Sequence, residues 1–252
     1  MNHLAIDTAT DILSVALRRD RDTASDVLVA SRDVGLRHSR RLMTLVHALM
    51  DEAELQPIDL DLVSCTRGPG SFTGLRIGMA TAKGLAWAVA AARAIDRPPL
   101  VSVPTLDAMA AAVASTTALV VPVIDGKKGR FYGAAFLAAR RLTDDLDLEA
   151  SALLEAGRQA VRGIAGGTDR SLARPPEEVI VTGPHAHRFA EACRGDARAL
   201  IVDPSARSGW APALLRLAEA RLAAGGYDPV DAGPEYVRGS DAEISRASLA
   251  DR

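Results

Sequence analysis

The sequence predicts an α/β protein built from two similar halves, and three observations carry that prediction. Each half holds a β-hairpin with a polar turn, Asp7 to Asp11 in the first and Asp125 to Gly129 in the second. Helices with one apolar stripe alternate with short, nearly all-apolar strands. The chain has 252 residues, 48% hydrophobic and 25% charged, which is enough to bury one large core or two small ones.

Taken in order, residues 3–10 read as a buried strand ending in a polar turn, 12–17 as its returning strand and 27–30 as a third. Residues 38–53 form a helix in which Leu42, Leu45, Val46, Leu49, Met50 and Ala53 recur at three- and four-residue spacing. Residues 58–65 are a strand, and a glycine-rich loop leads from it into a second helix over 75–94. That helix is crowded with small residues. Gly78 and Gly84 each cost it about 1 kcal/mol relative to Ala, a cost that suits a place where another backbone must come close. The pattern restarts after Arg97-Pro98-Pro99, with a strand at 101–103, a helix at 106–114, a strand at 118–125, a tight turn at 126–129 and a returning strand at 130–137. Residues 140–175 read as loop-rich around a short helix at 150–162. A strand at 179–182 and a helix from about His185 follow, and a last helix at 211–224 stops at Gly225-Gly226.

Several function classes lose support at once. The formal net charge of −2 argues against a polyanion binder working by bulk charge, although the basic residues are nearly all Arg, with Lys only at Lys83, Lys127 and Lys128. Cys65 and Cys193 match no metal or redox spacing and read as reduced, buried thiols. The five histidines include no His-x-x-x-His pair; His38 and His47 fall on different helix faces, His185 and His187 lack a third ligand, and His3 reads as a packed strand residue. The longest apolar run, 84–92, is too short for a bilayer and no signal peptide is visible, so a cytosolic protein without membrane contact is expected.

The local feature that says most is Gly68-Pro69-Gly70-Ser71-Phe72-Thr73-Gly74, preceded by Arg67. Between a strand and a helix, such a loop can hold an anion on its backbone N–H groups. It can equally be a structural turn with Ser71 or Thr73 as helix N-cap, contributing about 1 kcal/mol, and the local sequence favours the turn. It is no Walker A loop, because Leu75 stands where the lysine belongs, and no dinucleotide fingerprint, because its third glycine comes one residue late. Asp7, Thr8 and Thr10 crowd the first hairpin turn, where they suit either a phosphate and metal site or the local hydrogen bonds of an Asx or ST turn. Arg37, Arg40 and Arg41 open the first helix against its macrodipole, which points either to an acidic partner or to a solvated face.

From Thr66 to Ala86 the chain resembles the TsaB (YeaZ) family, subunits of the bacterial machinery that makes threonylcarbamoyladenosine at position 37 of tRNA. The stretch Arg67 to Gly74 is highly specific for that family. The likeness extends to Leu4-Ala-Ile-Asp-Thr-Ala-Thr10, to His38 and Leu42, to Val123-Ile-Asp-Gly-Lys-Lys-Gly-Arg-Phe-Tyr132 and to Pro234-Glu-Tyr-Val-Arg238. Gly126-Lys127-Lys128 departs from it, since family members more often carry Ala-Arg-Arg or Ala-Arg-Met there.

The resemblance implies the actin-like ATPase (ASKHA, ribonuclease H-like) fold with two similar α/β subdomains. It divides the chain into a first subdomain at 1–104 with the dimerisation helices, a smaller second one at 105–208, a helix at 209–226 packing back on the first, and a flexible tail at 239–252. It implies a non-catalytic scaffold that binds the transferase TsaD, with the ATPase TsaE as third partner, tRNA reached only through the complex, and a homodimer when TsaD is absent. The partner face it implies comprises Leu42, Leu45, Val46, Leu49, Met50, Arg76, Ile77, Gly78, Thr81, Lys83 and Gly84. A vestigial phosphate cleft would be lined by Asp7, Thr8, Thr10, Asp125 and Gly183, with no tightly bound cofactor and ATP or ADP only at the complex interface. The competing expectations are an ATP hydrolase using Asp7, Thr8 and Asp125, a zinc metallopeptidase, and a homodimer that binds tRNA by itself through Arg37, Arg40 and Arg41.

Overall fold

The computed structural model describes residues 1–21, 24–35, 37–113, 117–165, 176, 178–195, 200–229 and 231–237. Three sequence expectations therefore lie outside the described residues: Ala114 as a helix end, the loop over 166–175, and Arg238 with the tail at 239–252.

The first sheet is formed by β1 (His3–Asp7), β2 (Ile12–Asp20), β3 (Ser25–Asp33), β4 (Leu62–Gly68) and β5 (Leu100–Pro104), in the order β3-β2-β1-β4-β5. β1 to β3 are antiparallel; β1, β4 and β5 are parallel. The second sheet repeats this arrangement with β10 (Leu146–Glu149), β7 (Arg130–Gly133), β6 (Leu119–Lys127), β11 (Val179–Thr182) and β12 (Leu200–Val202), again with two antiparallel and two parallel pairings. β8 (Phe136–Leu137) and β9 (Arg140–Arg141) extend it beside β6. The two halves are thus the same motif used twice.

Five layers result. α1 (His38–Glu52) and α2 (Phe72–Arg93) cover one face of the first sheet through a core that includes Leu42, Val46, Met79 and Val89. α3 (Thr105–Ala111) and α6 (Ala211–Ala223) fill the space between the sheets, with Trp210, Leu214 and Leu106 against Val101, Val120 and Phe136. α4 (Ala150–Ala165) and α5 (Ala186–Ala192) close the far side, where Phe131 meets Phe189 edge-on at 5.2 Å. β1 is buried along its whole length because helices lie on both its faces, which is why it reads as a continuous apolar run rather than an alternating one.

Two predicted elements change shape for identifiable reasons. The strand expected from Ile58 starts at Leu62, because Pro57–Asp59 forms a 3-10 turn in which the Asp59 carboxylate accepts from the Gln56 amide at 2.7 Å. The single strand expected over 130–137 is split into β7 and β8. Its break falls opposite Pro122 in β6, which has no N–H to give to a neighbour. Within the span read as loop, β9 and β10 add short pairings, and α4 runs on to Ala165.

Among the described residues no helix is long and apolar enough to cross a membrane. Cys65 and Cys193 are both buried and unlinked, and burial pushes the Cys65 thiol well above its usual range.

Candidate functional site: the interlobe cleft and the outer face of α1 and α2

The equivalent turns β1–β2 and β6–β7 sit at the same topological position of the two lobes, and each is stabilised locally. Asp7 is fully buried; its Oδ1 accepts from the Ala9 amide at 3.0 Å and from the Thr66 hydroxyl at 2.9 Å. Its Oδ2 has no partner, and burial raises the carboxyl to about 6. Thr8 Oγ1 donates to the Gly74 carbonyl at 2.8 Å, and Thr10 Oγ1 accepts from the Ile12 amide at 3.2 Å. In the second lobe the Asp125 carboxylate receives Lys127 Nζ at 3.1 Å, Arg188 at 2.6 Å and the Lys127 amide at 2.9 Å, while the Asp125 amide donates to His185 Nδ1 at 3.1 Å. Gly183, at φ +105°, lets the end of β11 lie against the Val123 carbonyl, a place where any Cβ would collide.

Arg207 joins the lobes. Its guanidinium donates to Asp11 at 3.0 Å and Asp33 at 2.6 Å in the first lobe and to the Pro184 carbonyl at 3.0 Å in the second. Lys127, Arg188 and Arg207 are each already paired with a carboxylate, Asp125 for the first two and Asp11 with Asp33 for the third. Arg207→Ala is expected to lower stability by about 0.5–1 kcal/mol, since its side chain is 45% exposed and the pairs are solvent-screened. Amide exchange at residues 9–12 and 183–185 should quicken with it; unchanged exchange there would show that Arg207 does not tie the lobes.

The Asp7 shift has a pH consequence. A carboxyl near 3.8 in the unfolded chain and about 6 in the fold binds more protons when folded, so stability falls as pH rises from about 4 to about 6 and stays lowered above that. The full shift corresponds to about 3 kcal/mol. Asp7→Asn keeps the Oδ1 acceptor and removes the charge, so it is expected to stabilise the protein by about 1–2 kcal/mol at pH 7.5, less the cost of an unpartnered amide. Urea unfolding at pH 7.5 and pH 4 checks this, because the gain must vanish at the lower pH.

The 67–74 segment is packed between two parts of the chain. Ser71 is the N-cap of α2, accepting from Gly74 N at 3.2 Å, and its own amide donates to the Ala9 carbonyl at 2.7 Å. Thr73 is exposed, Gly70 and Gly74 abut the backbone of Ala9 and Thr8, and the Gly68–Pro69 peptide is cis. On the other side lies the C-terminal segment. The Glu235 amide donates to the Arg67 carbonyl at 2.7 Å, Arg67 pairs with the Glu235 carboxylate at 2.9 Å, and Tyr236 stacks on Phe72 at 4.8 Å. Arg76 completes this contact, lying over Phe72 at 3.9 Å and donating to Tyr236 Oη at 3.0 Å. Nothing in the loop's own sequence signalled that a segment from the far end of the chain would cover it.

Of the residues expected on a partner face, Leu42, Val46, Leu49, Met50 and Gly78 turn inward, which corrects that expectation. The apolar stripe of α1 is spent on the first sheet, and Gly78 is fitted against Thr8. Leu45, Ile77, Thr81 and Lys83 are half-buried, and Arg76 and Gly84 are exposed. The outward side of α2 instead runs through Thr73, Arg76, Ala80, Gly84, Trp87, Ala88 and Ala91, with Trp87 50% exposed and open space over Gly84. Met43, His47 and Ala48 line the exposed side of α1. Arg37, Arg40 and Arg41 are exposed at its start, without a side-chain N-cap, an acidic residue in the first turn or, among the described residues, an ion pair.

One buried cluster has the connectivity of an acyl-transfer triad. His3 Nε2 lies 2.7 Å from Ser64 Oγ and its Nδ1 lies 3.0 Å from Glu219, which also receives Arg18 at 2.6 Å. His3 and Ser64 are both fully buried, and burial lowers the imidazole pKa against the opposing pull of Glu219. The cluster ties α6 to β1 and β4. Among the described residues no three His, Cys, Asp or Glu side chains gather as a metal site requires.

Comparison with known proteins gives a consistent answer. A family model described as TsaD, tRNA N6-adenosine threonylcarbamoyltransferase, matches residues 29–171. The tRNA threonylcarbamoyladenosine biosynthesis protein TsaB of Bacillus subtilis is 35% identical over 134 residues, 52% of this chain and 53% of that protein. The TsaB protein of Escherichia coli is 33% identical over 138 residues, 54% of this chain and 55% of that one. The match therefore spans about half the length of these curated relatives. A crystal structure from Pseudomonas aeruginosa, described as similar to the peptidase YEAZ, superposes with a TM-score of 0.70 at 25% identity, covering 94% of this chain and 99% of that one. The fold is the actin-like ATPase fold.

Proposed function

Because this chain belongs to the TsaB (YeaZ) family, we propose that it is the non-catalytic scaffold subunit of tRNA N6-threonylcarbamoyladenosine synthesis, pairing with a TsaD-type transferase and holding it in its active form. The observation that carries the pairing is the outward side of α2: an exposed tryptophan set among Ala80, Gly84, Ala88 and Ala91, small enough for another helix to approach to backbone distance. Aromatic anchors in an otherwise flat patch are the usual high-energy points of an interface, and a total burial of about 1,600 Å² is ordinary for such a contact. The cations at the start of α1 form a rim that would meet acidic groups of the partner.

The same reading assigns the cleft no chemistry of its own. Its cations are neutralised within the chain, so ATP or ADP belongs to the complex interface, with TsaE as the nucleotide-hydrolysing third partner and tRNA bound only by the assembly. The site of action is the cytoplasm. Mixing the purified chain with its cognate TsaD-type subunit, with and without ATP, tests the proposal. A stoichiometric complex by light scattering, and transfer activity that needs both chains, is the expected result; separate elution, or transfer activity by this chain alone, refutes it.

A further inference from the structure

The segment that follows α6 crosses the first lobe as a strap with two anchors. At its root Asp228 is buried; its amide donates to the Leu100 carbonyl at 3.0 Å, and its carboxylate accepts from the Ser102 amide at 2.7 Å and pairs with Arg221 at 2.9 Å. Further on, the Glu235 amide donates to the Arg67 carbonyl, and the seat there is shaped for backbone. Gly68 has φ +135°, and a Cβ on it would collide with the Glu235 carbonyl oxygen, so a glycine is what admits the strap. This seat delivers Tyr236, 37% exposed, onto Phe72 in the first turn of α2.

The contact immobilises Arg76. Its guanidinium lies over the Phe72 ring at 3.9 Å, and its Nε donates to Tyr236 Oη at 3.0 Å. An exposed side chain is thereby held in one place while, among the described residues, its Nη1 and Nη2 donate to nothing. Nor does any carboxylate of the described residues pair with it, since Glu235, the acid next to Tyr236, is taken by Arg67 at 2.9 Å. In this Arg76 differs from Arg18, Arg93, Arg130, Arg141 and Arg207, each of which meets an acid of the chain. A planar fork with two open nitrogens matches a carboxylate bidentately, and a fork already fixed loses less freedom on binding one.

We propose that the strap sets Arg76 as a carboxylate-binding site whose occupant is an aspartate or glutamate side chain of the TsaD-type partner. The inference rests on the pairing proposed above and adds to it a second fixed point. Arg76 shares the outward side of α2 with Trp87, about 16 Å away along the helix axis, so both fit within one interface of ordinary size. Arg37, Arg40 and Arg41 on α1, exposed and without an ion pair among the described residues, give the surface the same sign, and the complementary surface is acidic. Tyr236 is a positioning residue here: its hydroxyl acts on the partner through Arg76.

Titration calorimetry of the full chain against its cognate TsaD-type subunit tests it, with thermal unfolding to show that each variant is folded. Arg76→Ala should weaken binding about tenfold or more, which is about 1.4 kcal/mol, and Arg76→Lys should not restore it, because an ammonium is not a fork. Tyr236→Phe keeps the ring on Phe72 and removes only the hydroxyl; it should weaken binding about threefold in the wild type and have no effect in Arg76→Ala. The affinity of the wild type should also fall more steeply with added salt than that of Arg76→Ala. Full affinity in folded Arg76→Ala, full affinity in Tyr236→Phe, or losses that simply add in the double variant overturn the proposal. If Trp87→Glu still weakens binding in that event, the pairing stands and the carboxylate site alone falls; a wild type that binds no partner removes both. A loss in Arg76→Ala that appears only when tRNA is present overturns it as well, since the fork would then be serving a phosphate.

Discussion

Gly78→Ala is expected to destabilise the protein by about 2–3 kcal/mol, while Gly84→Ala, six residues further along the same helix, stabilises it by about 0.5–1 kcal/mol. In an isolated helix both changes would help, since alanine is the better helix former. The surroundings reverse the sign at one of them. A Cβ at position 78 would intrude on Thr8 Oγ1, a buried hydroxyl that donates to the Gly74 carbonyl, and turning the hydroxyl away leaves that bond unmade. A buried hydrogen bond lost without replacement costs about 1–3 kcal/mol, which exceeds the helix gain. At position 84 nothing lies within 4 Å of the added carbon, so the gain stands alone. Urea midpoints of the two variants give the answer, and equal shifts would mean that α2 does not rest on the first hairpin turn as described. Gly78→Leu is expected to prevent folding altogether, so a failure of that variant to bind a partner would say nothing about the partner face.

Pairing with the TsaD-type subunit is expected to fall about 100-fold or more in Trp87→Glu and in Gly84→Leu, with unfolding midpoints close to wild type. Trp87 is half exposed and Gly84 faces open space, so neither change disturbs the first core. Truncating an aromatic anchor typically costs 2–4 kcal/mol of binding, and burying an unpaired carboxylate in its place adds to that. Titration calorimetry against the cognate subunit separates the cases. Undiminished affinity in both variants would move the contact away from α2.

The sequence spoke clearly about elements and poorly about destinations. The strands of the first lobe were legible because β1, β2 and β4 are short apolar runs bounded by polar turns, and α1 because its apolar residues keep a helical period. What the period cannot report is which surface the stripe meets. Leu42, Val46, Leu49 and Met50 would look the same in a subunit contact as they do in the core they fill. Gly78 and Gly84 are equally indistinguishable in one dimension, since the feature that separates them, the Thr8 side chain, lies seventy residues upstream.

Short strands with little contrast were missed for a different reason. β12 is three residues long, and the four residues of β10 lie among aspartates that read as loop. The phosphate-like turns were found from their residue types, but their neutralisation was not. Arg188 and Arg207 reach Asp125 and Asp11 across gaps of 63 and 196 residues, and no local pattern marks such partners.

The position of α6 bears on how this chain is made. The helix is among the last elements in order, yet it lies against β1, β2, β4 and β5, and Glu219 on it holds His3 and Arg18. As a ribosome releases the polypeptide from the N-terminus, the inner side of the first sheet emerges long before the piece that roofs it. Until roughly residue 223 has cleared the exit tunnel, that half must wait with Ala5, Ala16 and Val101 wet, so maturation of the N-terminal lobe is a late event of synthesis rather than an early one.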